Sequence, residues 1–86
     1  MTQATIRVIM RDLTQTVFEG NVLAVSSINE KGPFDILSAH SNFITLIKDY
    51  VILMHPDGAK QQIKLNTGVL RNVDNTVEIF IGVESL

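Results

Sequence analysis

Apolar residues in this 86-residue chain recur at every second position and nowhere sustain the spacing of a helix, which restricts it to strands. In Thr5 to Met10, Ile6, Val8 and Met10 share one face and Arg7 and Ile9 the other. Asp12 to Gln15 supplies a turn, and Val17-Phe18-Glu19-Gly20 leads into Asn21 to Ser27, where both faces are partly apolar, as in a sheet packed on another sheet. Asn29 to Gly32 is polar and ends in a glycine that can take positive φ, so the chain is predicted to reverse there before Phe34 to Leu37. Tyr50 to His55 is an apolar run closed by His55-Pro56-Asp57-Gly58, a hairpin signal whose proline pre-sets its own φ. Lys60 to Leu65 alternates, Thr67-Gly68 breaks the run, Val69 to Asn72 resumes it, and Asp74-Asn75 turns the chain into Thr76 to Ile81. Eight or more short strands are expected, with Ser41 to Lys48 as the one place for a helical turn. That pattern predicts an antiparallel sandwich or barrel.

Composition narrows the function. With 45% hydrophobic and 19% charged residues the chain is too apolar for disorder and reads as one domain over residues 1–86. The absence of cysteine removes disulfides and thiolate metal ligands. A net charge of −2, with seven scattered basic residues, argues against nucleic acid as a partner, because such binding needs clustered cations. No apolar run approaches the roughly 20 residues that cross a bilayer, and the start MTQATIRVIMRD is too short and interrupted for a signal peptide.

Catalytic and cofactor chemistry finds little support. His40 and His55 stand far apart with no preorganised metal spacing, and no glycine-rich phosphate loop occurs, so no cofactor is expected. Asp35, His40 and Ser41 have the residue types of a nucleophilic triad. Adjacent residues on an extended segment point to opposite faces, however, so His40 and Ser41 diverge, and His40 is expected to secure a turn through a backbone hydrogen bond. Phe18, Phe34, Phe43 and Phe80 are expected in the core. Lys60 and Lys64 read as solvated residues that guard a strand edge.

One ordered set of residues carries a resemblance. Phe18-x-Gly20, a Val-rich strand, then Gly32-x-Phe34-x-Ile36-Leu37-x-x-His40 and Phe43-Ile44-Thr45-x-Ile47 resemble the N-terminal domain of the epsilon subunit of F-type ATP synthases. Leu65-x-Thr67-Gly68-Val69-Leu70 resembles that family's strand-Gly-Gly-strand element, and Thr76 to Ile81 its closing strand. The likeness runs through nearly the whole chain. It implies a flattened antiparallel β-sandwich of two roughly five-stranded sheets, in agreement with the strand reading.

The resemblance also implies a non-catalytic rotor subunit of the central stalk, which binds the gamma subunit and the membrane-embedded c-ring and helps couple ion flow to ATP synthesis on other chains. The protein would be monomeric in isolation and reach the cytoplasmic face of a bacterial cell membrane only through the complex. Residue by residue, Asn29, Glu30, Lys31, Gly32, Pro33 and Phe34 correspond to the loop that faces the c-ring. Ser38, Ala39, His40, Ser41 and Asn42 correspond to the segment against gamma. A domain that holds such partners is expected to expose an apolar patch with a polar rim.

Three departures from the family pattern stand out. Asp35 replaces a glycine after the aromatic position, and Ser38-Ala39 replaces Pro-Gly before the histidine, so the turn there must form without those residues' backbone properties. Thr67 stands for the first glycine of the Gly-Gly element. The chain ends at Leu86, where many relatives continue into a helical pair that brakes hydrolysis and in some binds ATP, so neither activity is assigned. The competing expectations are a small sandwich module that takes a peptide or carbohydrate on an edge or face, favoured by a deep polar pocket, and a small hydrolase built on His40.

Overall fold

The computed structural model describes residues 4–82; the first residues of the expected non-signal start, and the end at Leu86, lie outside them. Its strands are β1 (Ile6–Arg11), β2 (Thr16–Val22), β3 (Ala24–Asn29), β4 (Gly32–Leu37), β5 (Phe43–Met54), β6 (Lys60–Val73) and β7 (Thr76–Ile81). They pair in the order β2-β1-β7-β6-β5-β3-β4. The pairings are antiparallel except β1 with β7, which is parallel.

One hydrogen-bonded sheet becomes two layers because β5 and β6 bend together. Their ladder shifts register between Lys48 and Asp49, and Asp49 takes φ 71. An inserted residue of this kind bends a strand and increases its twist. Before the shift, residues 43–47 of β5 and their partner residues in β6 lie beside β7, β1 and β2, and Lys48 already pairs with Ile28 of β3. Beyond it, the second half of β5 lies beside β3 and β4. The layers are therefore β2-β1-β7-β6-β5 and β6-β5-β3-β4, with the two long strands serving in both.

The core forms where the inner faces meet. Ile6, Val8, Met10, Val77, Ile79, Leu70 and Ile47 of one layer and Val25, Ile36, Val51 and Leu53 of the other are at most 2% exposed and make one cluster with Val22. Burying each such side chain stabilises the fold by about 1.5–3 kcal/mol. The radius of gyration is 12.3 Å, close to the ~12 Å of a compact chain of this length.

Several expected boundaries move. Among the described residues seven strands replace the eight or more, because Phe43 to Lys48 and Tyr50 to Met54 are one strand, as are Lys60 to Leu65 and Val69 to Asn72. The possible helical turn is thus extended chain. The Thr67-Gly68 break is absent: Gly68 pairs with Ile47 on one side and Ile81 on the other. Glycine is needed there because a Cβ would stand 2.8 Å from the carbonyl oxygen of Phe80. Asn21 to Ser27 splits at Leu23, where the chain passes between layers and the Leu23 N–H donates to the Met54 carbonyl at 2.7 Å. Phe18, Phe34 and Phe43 pack against the core as expected, whereas Phe80 is 40% exposed. The alternation of β7 places Val77 and Ile79 inward and leaves Phe80 outward.

Candidate functional site

The two sequence-assigned contact segments sit toward opposite ends of β4, with Asp35, Ile36 and Leu37 between them, so roughly 13 Å of strand separates Phe34 from Ser38. At one end is the β3–β4 hairpin tip. Asn29 pairs with Gly32 across a loop made of Glu30 and Lys31, and Gly32 takes φ 116, a conformation that side-chain-bearing residues avoid. Asn29 fixes the tip: its Oδ1 accepts from the Lys31 N–H at 2.9 Å, and its Nδ2 donates to Thr45 Oγ1 at 3.1 Å. Glu30, Lys31 and Pro33 are exposed. Proline is tolerated because β4 is an edge strand. Phe34 turns inward and meets Phe43 edge-to-face at 6.0 Å.

At the other end, Ser38 to Asn42 crosses between the layers. Ala39 takes φ 66, so the left-handed position survives although the residue is not glycine, at a cost of about 1–2 kcal/mol. The segment is tied to the β6–β7 hairpin, which turns through Asp74 and Asn75 at φ 49 and 64, the positive pair of a type I′ turn. The Ala39 N–H donates to Asn75 Oδ1 at 3.0 Å, and the Asp74 N–H to Asn42 Oδ1 at 2.9 Å. Asn72 Nδ2 donates to the Ser41 carbonyl at 3.0 Å and the His40 carbonyl at 3.4 Å. Asn75 Nδ2 reaches the Thr5 carbonyl at 2.8 Å, which joins the crossover to the start of β1.

Asn72 achieves this at a cost. It is 1% exposed and its Oδ1 has no hydrogen-bond partner, an omission worth about 1–3 kcal/mol. The two carbonyls facing its other arm can only accept, so they hold the NH2 toward the crossover.

The triad residue types are not brought into a relay. His40 is exposed, its Nδ1 donates to the Ser41 carbonyl at 2.9 Å, and its ring lies 5.1 Å from that of Phe43. That is the turn-securing role expected of it. Asp35 accepts from Ser26 Oγ at 2.6 Å on the outer face of β4. His55 pairs with Gln61 Oε1 through Nε2 at 2.8 Å and stacks edge-on against Phe18. Among the described residues, no group of three His, Cys, Asp or Glu side chains is placed to hold a metal ion, and no helix is long and apolar enough to cross a membrane.

The structure adds surface residues that sequence reasoning missed. Ile44 and Leu46, on β5, are 66% and 73% exposed. Register places Leu46 beside Val69 and Val69 beside Phe80, an outward apolar row next to the Arg71–Glu78 ion pair at 2.8 Å. This is the apolar patch with a polar rim. Its signal was the apolar character of both faces of Phe43 to Ile47, which a turn assignment obscured. An open groove of about 400 Å³ runs from Ile44 and Leu46 to Asn29 and Glu30 at the hairpin tip.

Asp12 shows how locally the remaining turn is made. Its carboxylate accepts from the Thr14 and Gln15 N–H groups at 2.8 and 2.9 Å. Those two bonds, Thr14 first, hold its pKa below the ordinary carboxylate value.

Comparison with known proteins bears on this arrangement. The model of the ATP synthase delta/epsilon chain β-sandwich domain matches residues 5–83. The ATP synthase epsilon chain of a Nitratiruptor species is 35% identical over 60 residues, 69% of this chain and 46% of that relative. A chain of the Euglena gracilis mitochondrial ATP synthase, OSCP/F1/c-ring in rotational state 1, superposes with a TM-score of 0.85 at 19% identity, over 96% of this chain and 53% of that one. A chain of the Tetrahymena thermophila mitochondrial ATP synthase central stalk and c-ring gives 0.70 at 12% identity, over 87% and 61%. At such identities the two structures show a common fold alone. The chain spans about half the length of the curated relative and of the Euglena chain. From its paired strands, its two-layer core and the match over residues 5–83, the chain belongs to the ATP synthase delta/epsilon β-sandwich family, as the N-terminal domain of an epsilon subunit.

Proposed function

We propose that this protein is a non-catalytic rotor subunit of an F-type ATP synthase that binds gamma and the c-ring together and helps couple ion flow to ATP synthesis. The observation that carries the reading is the separation of the two contact segments along one strand, in a chain of this family. Ser38, Ala39, His40, Ser41 and Asn42 would meet gamma. Asn29 to Phe34 would meet the polar loops of the c-ring, chiefly through the exposed Glu30, Lys31 and Pro33. A rigid domain with contacts at both ends passes torque from one partner to the other without moving parts of its own. The outward row of Leu46, Val69 and Phe80 supplies apolar area that suits an assembly subunit. The protein then sits peripherally on the cytoplasmic face of a bacterial membrane, through the complex. Co-purification with gamma from the same source tests this: a stable complex is expected, and folded protein that leaves gamma unbound overturns it.

One observation favours the second reading, a module that takes a peptide along a sheet edge. The outer edge of Phe43 to Ile47 has no strand partner among the described residues and borders the groove at Ile44 and Leu46. Peptide binding there would be lost when Thr45 is replaced by proline, whereas gamma binding through the crossover would depend on His40 and Ser41.

A further inference from the structure

Three residues that are poor choices for stability converge on the crossover. Ala39 holds a left-handed conformation that glycine adopts without strain. Asn75 occupies the second centre of a type I′ turn after Asp74, where Asp-Gly is among the favoured pairs. Asn72 places an amide with an orphan oxygen among core residues such as Leu70 and Val77. Independent accidents would not all serve one short segment. Asn75 accepts from the Ala39 N–H, Asn72 donates to the carbonyls of His40 and Ser41, and Asn42 accepts in return from the Asp74 N–H.

We propose that Asn72 and Asn75 are positioning residues that pre-set Ser38 to Asn42 in the shape its partner binds, so that the β6–β7 hairpin tunes affinity through the crossover. The inference rests on the reading of that segment as the gamma contact. A segment already held in its bound shape gives up less conformational freedom on association, so the clamp acts on affinity more than on global stability. The Asn75 tie to Thr5 anchors the clamp to the five-stranded layer, while the crossover itself departs from β4 in the other. Partner load on the crossover would thus be shared between the layers.

The test compares the parent with Asn75→Gly and Asn75→Asp, each titrated against purified gamma and each followed by amide exchange in isolation. Glycine keeps the positive φ of the turn and deletes the amide. In that variant the Ala39 N–H is expected to exchange about tenfold faster and the Kd for gamma to rise about tenfold, while cooperative unfolding persists. The aspartate variant keeps an acceptor for Ala39 and tolerates positive φ but loses the donor to the Thr5 carbonyl, so its Kd is expected to rise less than that of the glycine variant. Asn72→Val deletes the tie to Ser41 from the other side and is expected to raise Kd in the same way. Faster exchange at Ala39 with unchanged affinity overturns the inference and leaves the rotor reading standing. Failure of the parent itself to bind gamma overturns that reading and the inference with it.

Discussion

The hairpin tip and the crossover, at the two ends of β4, are built by opposite means. The tip is encoded where it stands: Gly32 supplies the positive φ, and Asn29 closes the turn onto Lys31 two residues away. The crossover holds an equally demanding conformation at Ala39 and is stabilised from elsewhere, by Asn72 and Asn75 more than thirty residues along the chain. Local chemistry makes a turn that forms by itself. Remote chemistry makes one whose shape depends on the completed fold, and can therefore be adjusted without altering the segment's own residues.

Glycine exchange at the two ends should give opposite signs. Gly32→Ala forces a side chain into φ 116 and is expected to destabilise by about 2 kcal/mol in urea unfolding. Ala39→Gly relieves the strain at φ 66 and is expected to stabilise, by about 0.5–1 kcal/mol once the entropy of the unfolded glycine is subtracted. Equal signs would break the comparison. Asn75→Gly should leave global stability within about 0.5 kcal/mol, because a better turn residue offsets the lost amide bonds.

The smallest effect belongs to Asp12, another locally made turn. Its folded pKa is depressed, so its contribution is fully present above the ordinary carboxylate value of about 3.9 and is lost as pH falls through the lower folded value. Asp12→Ala should therefore show a flatter loss of stability below about pH 4 than the parent, read from midpoints of unfolding across pH.

What was legible in the sequence follows the same division. The β1 face of Ile6, Val8 and Met10, the reversal at Gly32, the Pro56-Asp57-Gly58 turn and the Asp74-Asn75 turn are written in neighbouring residues, and the structure has them all. Gly68 was visible but misread: its small size serves a close approach to Phe80, which no local rule reports. Phe80 looks like core by type, yet strand parity decides its side, and parity needs the register of β7. The two proposed contact segments were assigned from a family resemblance. The asparagines that shape the crossover were not, since their bonds span 31 to 36 positions.

Amide exchange of the protein with and without gamma tests the central claim most directly, because it reads both ends of β4 at once. The account predicts strong added protection at Ser38 to Asn42 and none at Asn29 to Phe34. Protection confined to the hairpin tip, or absent from both segments, would contradict it.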